Sequence, residues 1–167
     1  MLQVLGDNLS QCIGIDVSEK MVGAYNAKMA NVANRTAYLG DLLSDPPSES
    51  VSGAEFHGFD AAGVGAGFHH FDDCVLAAKR LVERLNPGGV LFVLDFVPHE
   101  KSPDHATSHG VRHHGFSEET IRDVFVKAGA EGDFVYLPMK TEMIFENKYG
   151  EGKHMHRQYF MARATKL

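Results

Sequence analysis

Cysteine is scarce in this chain. Only Cys12 and Cys74 occur among 167 residues, each inside an apolar pattern and with no CxxC pair. A disulfide framework is therefore excluded, and buried thiols in a reducing compartment are expected. Basic charge is scarce as well, with 16 Lys and Arg against 22 Asp and Glu, a formal net charge of −6. That argues against a nucleic-acid binder working through a broad basic face and leaves small molecules or proteins as partners. No apolar run approaches the roughly 20 residues of a membrane helix, because "GVLFVLDFV" is interrupted by Asp95. The opening "MLQVLGDNLS" has neither the basic flank nor the apolar core of a signal peptide. The closing "TKL" departs from a peroxisomal address, whose first residue is Ser. A cytoplasmic protein with no membrane segment is expected.

Hydrophobic residues make up 44% of the chain and charged residues 23%, enough to bury a core. The length suits one domain, residues 1–167. "QCIGIDV" is short and rich in β-branched residues, which reads as a buried strand ending at Asp16. Ser18 suits a helix N-cap, Glu19 follows in the first turn, and Met21, Val22, Tyr25 and Met29 recur at helical spacing. "TAYLGDL" is a second strand, and "LSDPPSESVSG" a proline- and serine-rich loop.

A third strand, "GFDAAGVGAGF", runs into a glycine-rich turn. "DDCVLAAKRLVERLN" carries Val75, Ala78, Val82 and Leu85 on one helical face and stops at "PGG". "VLFVLDF" is the clearest buried strand. Ser117 caps a further helix with Ile121, Val124, Phe125 and Ala128 as its apolar face and Gly129 at its end. "DFVYLP", "EMIFE" and "HRQYFMARA" read as closing strands, the last two antiparallel across a turn near Gly150 and Gly152. The class is therefore α/β, Rossmann-like, with a mainly parallel sheet, helices on both faces and an antiparallel C-terminal strand pair.

In such sheets ligands sit beyond the carboxyl ends of the strands. Asp16, Asp41 and Asp95 each end a strand there, and a fourth end carries a glycine-rich turn followed by "HHFDD". Several acids at strand ends suit a ligand rich in hydroxyl and amine donors. The ordered set "GIDVSEKM", "LGDL", "FDAAGVGAGFHHFDD", "LNPGGVLFVLDF" and "HGFSEETIRDVFVKAGAE" resembles the class I S-adenosylmethionine-dependent methyltransferases.

The resemblance covers the chain from residue 11 onward and implies S-adenosyl-L-methionine as cofactor and a small-molecule methyl acceptor. It implies that Asp16 accepts from the ribose hydroxyls and that Ser18 and Met21 lie beside the adenosine. Asp41 would accept from the adenine amine, with the Leu42 backbone nearby. The segment Gly65–His69, including Ala66, would line the methionine end, and His69 or His70 would orient a substrate hydroxyl or take its proton.

Vicinal hydroxyls suit a carboxylate, because charge-assisted bonds are the stronger kind. A sulfonium is already a reactive electrophile, so such a site needs above all to align it with a nucleophile and exclude water. The family's first strand, its Gly-rich loop and the helix after it have no counterpart beyond residues 1–10. An N-terminal truncation is therefore expected, along with strand edges left open to "LQVL" or to self-association.

Two other readings stand beside this one. "GVGAG", Gly63 to Gly67, with Asp95 ending the next strand, outlines a nicotinamide-dinucleotide site and an NAD-dependent oxidoreductase. A non-catalytic methyltransferase-like binding module is the other. His99, His105, His109, His113 and His114 lie in one loop without zinc-site spacing, and are expected to be solvent-exposed. Tyr136, Met143, Phe145, Tyr159 and Phe160 are candidates for a substrate wall or for core.

Overall fold

A computed structural model describes residues 8–100, 110–146 and 154–167. The chain divides into two compact units, Met1–Gly58 and Phe59–Leu167.

In the first unit, β1 (Cys12–Asp16) pairs in parallel with β2 (Arg35–Leu39), with Cys12 opposite Arg35 and Asp16 opposite Leu39. Between them runs α1 (Glu19–Met29). Ser18 caps it as the sequence implies, its Oγ accepting from the Met21 N–H at 3.4 Å, with Glu19 at the positive end and Lys28 at the negative end. Val22, Tyr25 and Met29 are half-buried, whereas Met21 is 60% exposed. Asn26 is polar on that same face and bonds sideways to β2: its Nδ2 donates to the Ala37 carbonyl at 2.9 Å and its Oδ1 accepts from the Ala37 N–H at 2.7 Å. One amide side chain thus satisfies both backbone groups of a strand residue, as a neighbouring strand would. Among the described residues of this unit Ala37, Val51 and Phe56 are the buried apolar ones, and Tyr38 meets the Phe56 ring edge-on at 5.0 Å.

The second unit is built on four strands in the order β3-β4-β6-β5: β3 (Phe59–Gly65), β4 (Leu85–Phe96), β5 (Ala130–Glu146) and β6 (His154–Lys166). β3 and β4 are parallel, while β6 is antiparallel to both β4 and β5. The expected antiparallel pairing of the C-terminal strands is present, with Glu142 opposite Gln158 and Ile144 opposite His156. "DFVYLP" and "EMIFE" are not separate strands but parts of β5, whose register shifts between Pro138 and Glu142. Proline has no N–H for the ladder, so an irregularity there follows from its chemistry. The expected turn at Gly150 and Gly152 lies outside the described residues.

α2 (Cys74–Val82) connects β3 to β4, and α3 (Glu118–Ala128) precedes β5. Asp73 caps α2 through Leu76 N–H at 2.8 Å. Its buried face is Cys74, Ala77, Ala78 and Val82. Ala78 and Val82 are buried as expected and Val75 is half-buried; Leu85 is buried too, but as the first residue of β4, because the helix ends at Val82. Lys166 donates to the carbonyls of Val82 and Leu85 at 3.0 and 2.7 Å, serving acceptors the helix end leaves open. α3 buries Ile121, Val124, Phe125 and Ala128 as the pattern requires, and Gly129 ends it with φ 88°. Leu91, Val93, Phe125, Phe160, Ala162 and Ala164 form the centre of this unit's core.

Candidate active site

In the first unit the parallel register brings two of the expected acids to one edge. Asp16 ends β1 opposite Leu39, and Asp41 follows β2 by two residues; the Gly40 N–H donates to the Asp16 carbonyl at 3.0 Å. Asp16 Oδ1 accepts from the Ser18 N–H at 2.8 Å, an Asx turn that aims the carboxylate along the strand end. Asp41 Oδ1 accepts from the Leu43 N–H at 2.8 Å, and its own N–H donates to Ser48 Oγ at 2.9 Å. Each carboxylate therefore spends one oxygen on its own backbone. Among the described residues the other oxygen of each, and the Leu42 N–H, have no partner. Two half-buried acceptors and a donor beside them match the donor and acceptor pattern of an adenosine.

In the second unit β3 ends at Gly65, and the chain turns at Ala66 with φ 53°. A residue with a Cβ in the left-handed region costs about 1–2 kcal/mol, and here it is held by the Ala66 N–H donating to the Leu94 carbonyl at 2.7 Å. Gly65 and Ala66 are exposed at this strand end. A short 3₁₀ turn, Phe68–His70, follows, and its two histidine rings meet with centroids 4.1 Å apart, one buried and one exposed. His70 is exposed, its Nδ1 3.0 Å from the Gly110 carbonyl. His69 is 8% exposed and meets Asp95, which is 0% exposed at the end of β4. His69 Nδ1 lies 2.9 and 3.0 Å from the two Asp95 oxygens, and the His69 N–H donates to Oδ2 at 3.1 Å. The Phe96 N–H donates to Oδ1 at 2.7 Å.

This arrangement answers the dinucleotide alternative. Asp95 has both oxygens engaged and is closed off from solvent, so it cannot grip a ribose. Gly63 is glycine because β4 runs against it: an added Cβ would strike the Phe92 carbonyl and come within 2.7 Å of the Phe92 ring. The turn also fails to open a helix, since α2 begins only at Cys74 under its own Asp73 cap.

The loop histidines are not the exposed set that the sequence suggested. His99, His113 and His114 are half-buried. His99 Nδ1 lies 3.1 Å from the Val97 carbonyl, His113 Nε2 lies 2.9 Å from that of Phe71, and His99 and His114 meet ring to ring at 5.9 Å. Burial lowers the pKa of His99, more than its bond to Val97 raises it. His105 and His109 lie outside the described residues. Among the described residues no group of three or more His, Cys, Asp or Glu could hold a metal ion. Cys74 is a free, buried thiol whose pKa burial pushes up to about 11, with Asp73 and Asp95 adding to it; Cys12 is also free. Of the aromatic candidates, Phe160 is core, stacked on Tyr136 at 4.5 Å, while Phe145 is 39% exposed.

The strand and helix order makes a Rossmann-like α/β fold, with Asp16, Asp41 and Asp95 at or just beyond its strand ends. Comparison with known proteins makes the assignment narrower. The chain is 32% identical over 127 residues to an uncharacterized methyltransferase of Schizosaccharomyces pombe, covering 71% of this chain and 45% of that protein. It is 29% identical over 85 residues to the demethylmenaquinone methyltransferase of Staphylococcus carnosus, covering 51% and 32% respectively. The chain thus spans less than half the length of these curated relatives. A solved S-adenosylmethionine-dependent methyltransferase from Methanosarcina mazei shares the fold with a TM-score of 0.60 at 14% identity, over 93% of this chain and 81% of that one. No family model matches the sequence. By sequence the chain is similar to these methyltransferases, and its fold is that of solved S-adenosylmethionine-dependent methyltransferases. No helix among the described residues is long and apolar enough to cross a membrane.

Proposed function

We propose that the chain, read as a single methyltransferase-like domain, binds S-adenosylmethionine and transfers its methyl group to a small-molecule acceptor. The observation that carries this reading is the edge of the β1–β2 pair, where Asp16 and Asp41 each keep one oxygen unspent beside the open Leu42 N–H. In this reading Asp16 accepts from the ribose hydroxyls, Ser18 and Met21 lie along the adenosine, and Asp41 and Leu42 take the adenine amine and its neighbouring ring nitrogen. Gly65 and Ala66 contribute exposed backbone toward the methionine end, and His69 and His70 belong to the reaction centre. The cofactor, when bound, supplies the electrophilic methyl group; the protein's part is binding, alignment and proton handling.

Calorimetry with S-adenosylhomocysteine tests this. Binding is expected, and Asp16→Ala should weaken it by roughly tenfold or more, the scale of a lost charged hydrogen bond. A folded chain that shows no binding heat would sink the reading.

A further inference from the structure

Beyond the four-stranded sheet, β5 and β6 run on as a two-stranded arm. Phe96 is the last β4 residue paired with β6, opposite Tyr159, while β5 and β6 stay paired from Glu142 with Gln158 to Glu146 with His154. Side chains alternate along a strand and directly opposed residues share a face, so the arm has two unlike faces. On one, Glu142 and Ile144 stand with His156 and Gln158, and Glu142 is taken by His156 Nδ1 at 3.0 Å. On the other, Arg157 stands opposite Met143, with Tyr159 next to it on β6 and Phe145 next on β5. This second face continues onto the sheet end. The Phe145 ring meets Phe96 at 5.9 Å, and Phe96 meets His69 at 5.3 Å. The run of rings joins the arm to the carboxyl ends of β3 and β4, the edge where ligands of such sheets bind.

Arg157 is half-buried on this face, and its bonding is incomplete. Its Nη1 donates to the carbonyl of its own neighbour, His156, at 3.1 Å, and among the described residues no carboxylate pairs with it. Glu142, beside its ladder partner Met143, belongs to the opposite face. Burial lowers the guanidinium's pKa, and no acid offsets that. The His99 ring meets Phe96 at 6.2 Å; burial lowers its pKa, and the Arg157 charge lowers it further, which places the cation at this same sheet end. A half-buried charge without a counter-charge carries an unrecovered desolvation cost, and the planar fork of a guanidinium matches a carboxylate bidentately. The rings and the Met143 thioether beside it suit an apolar, unsaturated body. We infer that Arg157 is the specificity-determining residue of the acceptor site, and that the acceptor is an aromatic acid, its carboxylate held by Arg157 and its ring packed along Phe96, Met143 and Phe145. This deepens the methyltransferase reading above and rests on it. An uncharged acceptor of the same shape leaves the guanidinium unpaired in the complex and binds more weakly.

Titration of the full chain with naphthoate and with its uncharged amide, naphthamide, tests this. Binding is followed by the Arg157 Nε–H signal in ¹⁵N–¹H spectra, both without and with S-adenosylhomocysteine. Naphthoate should shift that signal and the Phe96 and Phe145 amides saturably. It should bind roughly tenfold or more tighter than naphthamide, the scale of a lost charged hydrogen bond. Arg157→Gln should remove the preference, leaving the two probes within about threefold of each other. Arg157→Lys, which keeps the charge and loses the fork, should fall between wild type and Arg157→Gln. Phe145→Ala should weaken both probes by a similar factor, because it removes ring contact and no charge. The amide spectrum of each variant reports that it is folded. Equal affinity of the wild-type chain for acid and amide, a preference that survives Arg157→Gln, shifts confined to residues away from this face, or no saturable shift at all overturns the inference. If S-adenosylhomocysteine does not bind while naphthoate still selects Arg157, the methyltransferase reading fails and the anion site stands.

Discussion

The two units hold their structure by different means. Among the described residues, the first has a two-stranded sheet, a helix with no fully buried residue, and three buried apolar side chains. Its geometry is kept by polar clamps: Asn26 on Ala37, Ser18 on Met21, Asp16 on Ser18, Ser48 on Asp41. The second has a four-stranded sheet over two helices and most of the buried apolar residues. Two strands alone are marginal in water, whereas burial of apolar faces is what stabilises a larger sheet. The contrast teaches where mutational damage should be local and where it should be global.

The largest effect is expected from Phe125→Ala. Phe125 is fully buried and meets Phe134 at 5.9 Å, so truncation should cost about 3–5 kcal/mol in urea unfolding. A loss under 1 kcal/mol would break the claim that the second unit stands on its core. Asn26→Ala comes next: it orphans both backbone groups of Ala37 and should cost about 1–2 kcal/mol. Hydrogen exchange should quicken at Ala37 and its β2 neighbours while the amides of β4 and β6 keep their protection. An equal acceleration in both sets would erase the distinction between clamp and core.

The smallest effect is expected from Tyr136→Phe, a polar latch on a core residue. Tyr136 donates to the Phe116 carbonyl at 2.9 Å while its ring stays stacked on Phe160, so about 1 kcal/mol should be lost. Burial, with the Glu118 charge adding to it, pushes its pKa up to about 12 from 10.0. The folded chain therefore keeps this proton longer than the unfolded one. The contribution is complete below pH 10.0 and is lost as pH rises toward about 12. Alkaline melting curves of the variant should lack that part of the decline.

Periodicity made the α3 face, its Ser117 cap and its Gly129 end readable in the sequence, because all three are local. β1, β2 and the C-terminal antiparallel pair were readable for the same reason. The end of α2 was misplaced because "NPGG" lies inside the next strand rather than at the helix end: Phe59 pairs with Leu85, and the register then jumps to Ala61 with Val90. The site was legible as a set of strand-end acids but not as partnerships. Asp95 looked like one more candidate for a ribose, and His69 like one of two interchangeable histidines. Their pairing joins positions 26 residues apart through a parallel register that no local pattern encodes. The Asn26 clamp escaped for the opposite reason, since an asparagine on a helix face carries no signal of the strand it will meet. The half-buried loop histidines show the same limit, their partners being carbonyls in distant turns.

The strand order β3-β4-β6-β5 has a consequence in time. β5 pairs with β6 and not with β4, so the strand made later must enter between two made earlier. Until residues 154–166 have left the ribosome, β4 and β5 each present an unsatisfied edge. The nascent second unit thus waits, with its most apolar strand exposed, for the segment that joins them. Its passage through the crowded cell is governed by how soon β6 arrives.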